Sequence, residues 1–568
     1  MRKLEQKLNE IIERLFDVRS RVEIVAEKEK FGDYSTNTAM MLAGRLKQNP
    51  REIAAKIIEE VTREIPGLKA EAVGPGFINF TVPARGVYDE ISEAWHEKYG
   101  ENESGKGKKA VVEYPSQNMA KPYSVGHLRP GTQGHAVAQI LRANGWEVIT
   151  DNHLGDYGTP FGIWVVGFLK LSSEDKLASG GVYELGRVYI EMKRLLKEEE
   201  VNGTSKLADE VQKWLLKLEQ GDETAVMYNK KFSEISLGHI HDVMGRLGLR
   251  TDFELGEAFF APRSKELVEK YLADGKFEKN KDGSVICKLD EFGIDVPMLM
   301  QKSNGAALYA TTDLATLVYR MENWKPDKIV HAVGAEQKFY FEQLFAMGKK
   351  IGIEVDSFHL WFGLIDQMTE DGKREKMSSR KGVVLMEELL DEAEARAKAI
   401  VESAGGEGKK ISEDDIRKIA TGAIKFADFA ADRKHGMLFD WKTIFALTGF
   451  SAAYVQYAGV RIGRILAEAR DFELVDFGGY DFEAEKSLLK LIAEYPKLVA
   501  ALGENLEMHK MAHFAYDLAV AINKYYEKTP VLKAEAKEKS ARITVLRQVA
   551  QVLEHSLSIL GIEIPGEM

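Results

Sequence analysis

Two short segments carry residue types suited to handling a triphosphate. The first is Ser124-Val125-Gly126-His127, followed by Leu128-Arg129. Glycine lets a backbone approach a ligand closely, and a histidine at a helix start can donate to a phosphate oxygen. The second is Lys376-Met377-Ser378-Ser379-Arg380-Lys381-Gly382, a cationic stretch with two hydroxyls. Such a loop can neutralise charge that builds on a triphosphate during in-line displacement at the α-phosphorus. Alone, the first pair reads as a helix cap with a surface histidine, and the second as a solvated basic face. Together in one α/β domain they are far more specific.

The elements that must position these segments follow from pattern. Ala110-Val111-Val112-Glu113-Tyr114 is a short apolar strand, and Pro115 to Pro122 is loop. A helical run carrying Val137, Ile140 and Leu141 stops at Asn144-Gly145, and Trp146 to Thr150 is the next strand. This β-α-β unit puts Gly126 and His127 at a strand-to-helix corner, where helix amides and open parallel sheets meet phosphate. Glu113 ends the first strand at the ligand-facing edge, with Asn118 just beyond it. Tyr309 and Asp313 are spaced i, i+4 and share a helix face. Read alone, Asp313 serves equally as a helix cap or salt-bridge partner, Tyr309 as core and Glu113 as an edge charge.

Composition bounds the rest. The chain has 568 residues, 45% hydrophobic and 29% charged, enough for three or four domains. One cysteine, Cys287, excludes a disulfide framework or a Cys-rich zinc site. The i, i+2 histidines of Gly238-His239-Ile240-His241 do not share a helical face, so no structural metal is expected. The first residues place Leu4, Leu8, Ile11, Ile12 and Leu15 on one amphipathic stripe, interrupted by Glu5, Glu10 and Glu13, unlike a signal or transit peptide. No apolar run is long enough to span a bilayer. A cytoplasmic protein is expected. A formal charge of -11 requires any nucleic-acid surface to be a segregated basic track.

The two signature segments resemble the HIGH and KMSK motifs of class I aminoacyl-tRNA synthetases. The surrounding residues resemble the arginyl-tRNA synthetase family. The likeness lies in Ser116-Gln117-Asn118-Met119-Ala120-Lys121-Pro122, Asn152-His153-Leu154-Gly155-Asp156-Tyr157-Gly158, Leu308-Tyr309-Ala310-Thr311-Thr312-Asp313-Leu314-Ala315 and Gly334-Ala335-Glu336-Gln337. It extends to Phe31-Gly32-Asp33-Tyr34-Ser35-Thr36-Asn37 and Gly74 to Phe80 near the start, and to Tyr454-Val455-Gln456-Tyr457-Ala458 and Leu560 to Pro565 near the end. Ser124 replaces the first histidine of HIGH. Ser379, followed by Arg380-Lys381, replaces the second lysine of KMSK. Tyr157 and Pro160 stand where tryptophan and glutamine are common.

The resemblance implies a multidomain α/β chain. A small α+β N-terminal tRNA-contacting domain with linker is expected over 1–105. A Rossmann-like parallel-sheet catalytic domain should occupy 106–390, with a helical insertion at about 165–235, and an all-α anticodon-binding bundle 391–568. It implies that ATP, with Mg2+, activates L-arginine for transfer to tRNA(Arg) by a monomeric enzyme. The catalytic residues would be Ser124, Gly126, His127, Lys376, Met377, Ser378 and Lys381, with Gly334 also at ATP. Glu113 and Asp313 would pair with the guanidinium beside Tyr309, while Asn118 and Gln337 hold the amino acid's backbone end. Tyr34, Asn37, Tyr454, Gln456, Tyr457 and Arg461 would meet tRNA. The alternatives are a small nucleotidyltransferase and a weakened, synthetase-like tRNA-binding protein.

Overall fold

Strands Asp356–His359, Lys328–His331, Lys109–Glu113 and Glu147–Asp151 pair in that order, every neighbour parallel. The computed structural model describes residues 2–20, 22–26, 32–303, 305, 308–368, 373–377, 384–405 and 411–568. Ala110, Val111 and Val112 are fully buried, as a strand covered on both faces requires. The register sets Asp151 beside Glu113, Glu113 beside His331, and His331 beside His359. Four side chains able to carry charge therefore form one row at the carboxyl edge, where open parallel sheets bind ligands.

The Leu128–Ala143 helix connects two of these strands and ends at Asn144, with Gly145 at φ 80°. Gly134 lies so near the preceding strand that a Cβ would stand 2.5 Å from Tyr114 Cβ. The end of the segment expected to include the linker, Asn102 to Gly105, packs onto the sheet corner. Asn102 Nδ2 donates to Asn144 Oδ1 at 2.9 Å, and Gly105 N donates to Asn144 O at 2.7 Å. Its glycines and short polar side chains permit close approach there, which composition alone cannot distinguish from slack.

Helices Thr159–Leu171, Glu174–Val201, Lys206–Glu219 and Glu223–Arg246 lie where the insertion was expected. Phe161, Trp164, Phe168 and Phe232 join the same apolar cluster as Tyr123 and Leu128, so this helical stretch packs against the signature corner.

Contacts divide the chain into two units. One comprises 102–457, 500–513 and 556–568, and the other 1–101, 458–499 and 514–555. In the second unit, Leu4, Leu8, Ile11 and Ile12 of the first helix are buried with Tyr34, Ile78 and Phe80 of a four-stranded antiparallel sheet. There Asp33 accepts ion pairs from Lys486 at 3.0 Å and Lys490 at 3.2 Å, which tie the N-terminal sheet to the Lys486–Asn505 helix. No described helix is long and apolar enough to cross a membrane.

Candidate functional site: two adjoining pockets

The sheet's carboxyl edge opens into two pockets, of about 380 Å³ and 390 Å³, that share Ser116, Asn118, Val333 and Gln337. Glu113, Tyr309 and Asp313 line the first pocket with Asn118 and Gln337, so all five residues proposed for one small molecule come together. Gly126, His127, Gly334 and Met377 line the second. Ser378 and Lys381 lie outside the described residues, as does the Lys376 side chain. The Lys376 backbone belongs to strand Arg374–Lys376, which pairs with Ile365–Met368.

Local chemistry places the phosphate-side groups. A Cβ at Gly126 would meet only Ser124 Oγ, at 3.4 Å, so the pocket side of this residue is open. His127 Nδ1 faces the Ser124 backbone N–H at 3.4 Å and the Ser124 hydroxyl at 3.3 Å. With Nδ1 accepting, the ring proton sits on Nε2, which is left to donate. Burial pulls the His127 pKa down to about 4, with Lys121 assisting, so the ring is a neutral donor at physiological pH. The Ser124 hydroxyl faces the imidazole and is not among the residues lining the second pocket.

Glu113 lines the first pocket with partners of its own. Its carboxylate is 2.7 Å from Arg320 Nη1 and 3.2 Å from His331 Nδ1, while Arg320 Nη2 also donates to Asp151 at 2.8 Å. Burial opposes its charge, but His331 and Arg320 outweigh burial and hold the carboxyl well below its usual range. Glu113 and Asp151 therefore share one buried guanidinium, Arg320, with His331 beside them, and Glu113 is already engaged before any ligand arrives. Strand pairing decides this, since Arg320 and His331 lie far from Glu113 in sequence.

The free carboxylate is one that sequence reasoning missed. Glu257 is 8% exposed, lines the first pocket, and alone among the described carboxylates there has no ion-pair partner. Burial pushes its pKa up to about 8; His153 opposes, while Asp313 and Asp156 add to the rise. It stands at the start of helix Glu257–Ala273, where Asp156 Oδ1 accepts from Ala258 N at 2.8 Å. In sequence it is one acidic residue at a helix start, the usual place for a charge complementary to the helix dipole. His153 was missed as well. Its Nε2 is 3.6 Å from Asp313 Oδ1, and despite burial that partner and Glu113 raise its pKa to about 9. The Asp313 carboxylate also accepts from the Tyr340 hydroxyl. Tyr309 is 62% exposed and stands at the rim, not in a core. No described group of three or more His, Cys, Asp and Glu residues is placed to hold a metal ion.

The residues expected at tRNA separate by exposure. Tyr34 is wholly buried against Phe80, so its ring cannot stack on a base. Gln456 is also wholly buried, its Nε2 donating to Lys418 O at 3.0 Å and Glu563 O at 2.8 Å. The resemblance implied tRNA contact for both, and both side chains face inward. Asn37 is exposed at the start of helix Thr38–Leu46. Tyr454 and Tyr457 are partly exposed. Arg461 donates to Asn523 Oδ1 at 2.7 Å and lies over the Tyr526 ring.

Comparison with known proteins agrees along the whole chain. Residues 90–441 match the family described as tRNA synthetases class I (R), catalytic domain. Residues 2–82 match the arginyl tRNA synthetase N-terminal domain, and 455–568 the DALR anticodon binding domain. The arginine–tRNA ligase of Streptococcus mutans is 33% identical over 95% of both chains, and that of Lactococcus lactis subsp. cremoris 33% over 96% of both. The Thermus thermophilus arginyl-tRNA synthetase structure shares the fold, with a TM-score of 0.81 over all of both chains at 23% identity. The chain therefore belongs to the arginyl-tRNA synthetase family of class I aminoacyl-tRNA synthetases.

Proposed function

We propose that this protein converts L-arginine and ATP to arginyl-adenylate and pyrophosphate, then esterifies the arginyl group onto the 2′-hydroxyl of the terminal adenosine of tRNA(Arg). The observation that carries this reading is the junction of a carboxylate-lined pocket with a phosphate-facing one at Asn118 and Gln337. Arginine enters with its guanidinium toward Asp313, Glu257 and Tyr309. Asn118 and Gln337 hold its backbone end at the junction. ATP enters as its Mg2+ complex, with His127 Nε2–H and the Gly126 and Gly334 backbone around the phosphates.

An arginine carboxylate oxygen attacks the α-phosphorus, and the bond to the β-phosphate bridging oxygen breaks. Lys376 and Lys381 stabilise the charge gathered on departing pyrophosphate. The tRNA 2′-hydroxyl then attacks the arginyl carbonyl, loses its proton, and displaces AMP. Asn37, Tyr454, Tyr457 and Arg461 remain candidates for RNA contact. Aminoacylation of unfractionated tRNA with arginine and ATP tests the reading, and ATP–pyrophosphate exchange with and without tRNA separates the two steps. No arginine-dependent product in either assay would overturn it.

The unpaired Glu257 predicts a pH dependence. Its folded pKa is raised to about 8, and a bound guanidinium favours the ionised form, so binding below that pH must expel a proton. Arginine KM should fall as pH rises from 6.5, by up to about ten-fold per unit, and level off above 8. Glu257→Gln should abolish that slope. A parent KM that is flat over this range would remove Glu257 from the guanidinium site.

A further inference from the structure

The paired histidines of Gly238-His239-Ile240-His241 have no place in the chemistry above, yet they differ sharply in surroundings. His241 is largely exposed and, among the described residues, pairs with Glu254 at 2.8 Å. The His239 side chain is 9% exposed, and its Nε2 accepts from the Tyr123 backbone N–H at 3.0 Å. An accepting Nε2 places the ring proton on Nδ1, which lies 3.4 Å from Glu387 Oε1. Tyr123 immediately precedes the first signature, and its ring packs edge-on against His127 with centroids 5.2 Å apart. Glu387 stands in the first turn of helix Met386–Gly405, just beyond the second signature, and also accepts from the Tyr183 hydroxyl.

Backbone bonds tighten the same junction. Met386 N donates to Tyr123 O at 2.9 Å, and Val125 N donates to Val384 O at 3.0 Å. One turn earlier on the His239 helix, Ser236 Oγ accepts from Ala120 N at 2.9 Å. The insertion helix Glu223–Arg246 thus holds the approach to the first signature at two points, and of those two His239 also reaches the exit of the second, where Arg246 pairs farther along with Asp391 and Glu394.

We propose that His239 is a positioning residue for adenylate formation, fixing the His127 corner relative to the chain that leaves the lysine loop. This inference rests on the synthetase reading. Its geometric basis is that Tyr123 is held on both sides of its peptide, by His239 through N–H and by Met386 through C=O. Loss of the imidazole frees one side, and the displacement falls on the ring packed against His127. Small misplacements of a catalytic group cost far more rate than binding, because the aligned geometry matters most in the transition state.

The test measures single-turnover arginyl-adenylate formation, arginine KM and thermal midpoint for the parent, His239→Ala, His239→Gln and His241→Ala. Parental activity with arginine tests the synthetase reading, and the variants relative to parent test this inference. His239→Ala should slow adenylate formation about ten- to hundred-fold, with arginine KM within about two-fold of parent. A glutamine can accept through its carbonyl and donate through its amide, so His239→Gln should recover most of the rate. His241→Ala should match the parent. The inference is overturned if His239→Ala matches the parent, or if its arginine KM rises as far as its rate falls. It is also overturned if the glutamine variant is as slow as the alanine variant while melting at the parental temperature.

Discussion

Asp313→Asn should raise the arginine KM by about thirty- to several-thousand-fold while leaving the fold intact. The substitution removes one formal charge from the pocket but keeps the shape and one acceptor for the Tyr340 hydroxyl. It also removes the main partner that keeps His153 protonated, so the variant loses the charge that orders that ring as well as the one that meets the guanidinium. Deleting one partner of a desolvated charge pair typically costs about 2–5 kcal/mol, which is the stated range in affinity. Arginine titration of the exchange rate measures it, with citrulline as the neutral competitor. A variant that still separates arginine from citrulline as well as the parent would show that Asp313 is not the recognising carboxylate.

Glu113→Gln should behave differently, because Glu113 belongs to the closed cluster with Arg320, His331 and Asp151. Breaking a buried pair by removing one member typically costs about 3–5 kcal/mol of stability. Its effect should therefore appear first as a lower melting temperature.

His127→Ala should lower the rate of adenylate formation by about a hundred- to a thousand-fold, the usual cost of one preorganised donor to a developing anion. Arginine KM should change little, since His127 lines only the second pocket. With its pKa near 4, the imidazole does not titrate between pH 6 and 9, so parent and variant rates should keep a constant ratio across that range. A ratio that collapses on acidification through pH 6.5 would show that the ring acts as a cation. Ser124→Ala should be milder, because the backbone N–H still faces Nδ1 after the hydroxyl is gone. Ser124→His should not improve on the parent, since an imidazole there would lose the short contact that orients His127.

The sequence by itself determined the catalytic architecture. Strand periodicity, the Gly126-His127 corner and the Asn144-Gly145 stop are local signals, written within one turn or one strand, and the β-α-β unit forms where they place it. Tyr309 and Asp313 share a face because helical spacing requires it. Tertiary structure alone decided how charge is distributed. Whether Glu113 is free or neutralised depends on which strand lies beside it and on Arg320 reaching across from a distant helix. Glu257 is buried in the first pocket without an ion-pair partner only because of how the chain folds around it. Burial also closes the Tyr34 and Gln456 side chains to RNA, although the resemblance implied contact there. It separates His239, drawn under the signature corner, from His241, which points to solvent. Local propensity acts over a few residues, whereas desolvation and ion pairing depend on what the rest of the chain brings within a few ångströms.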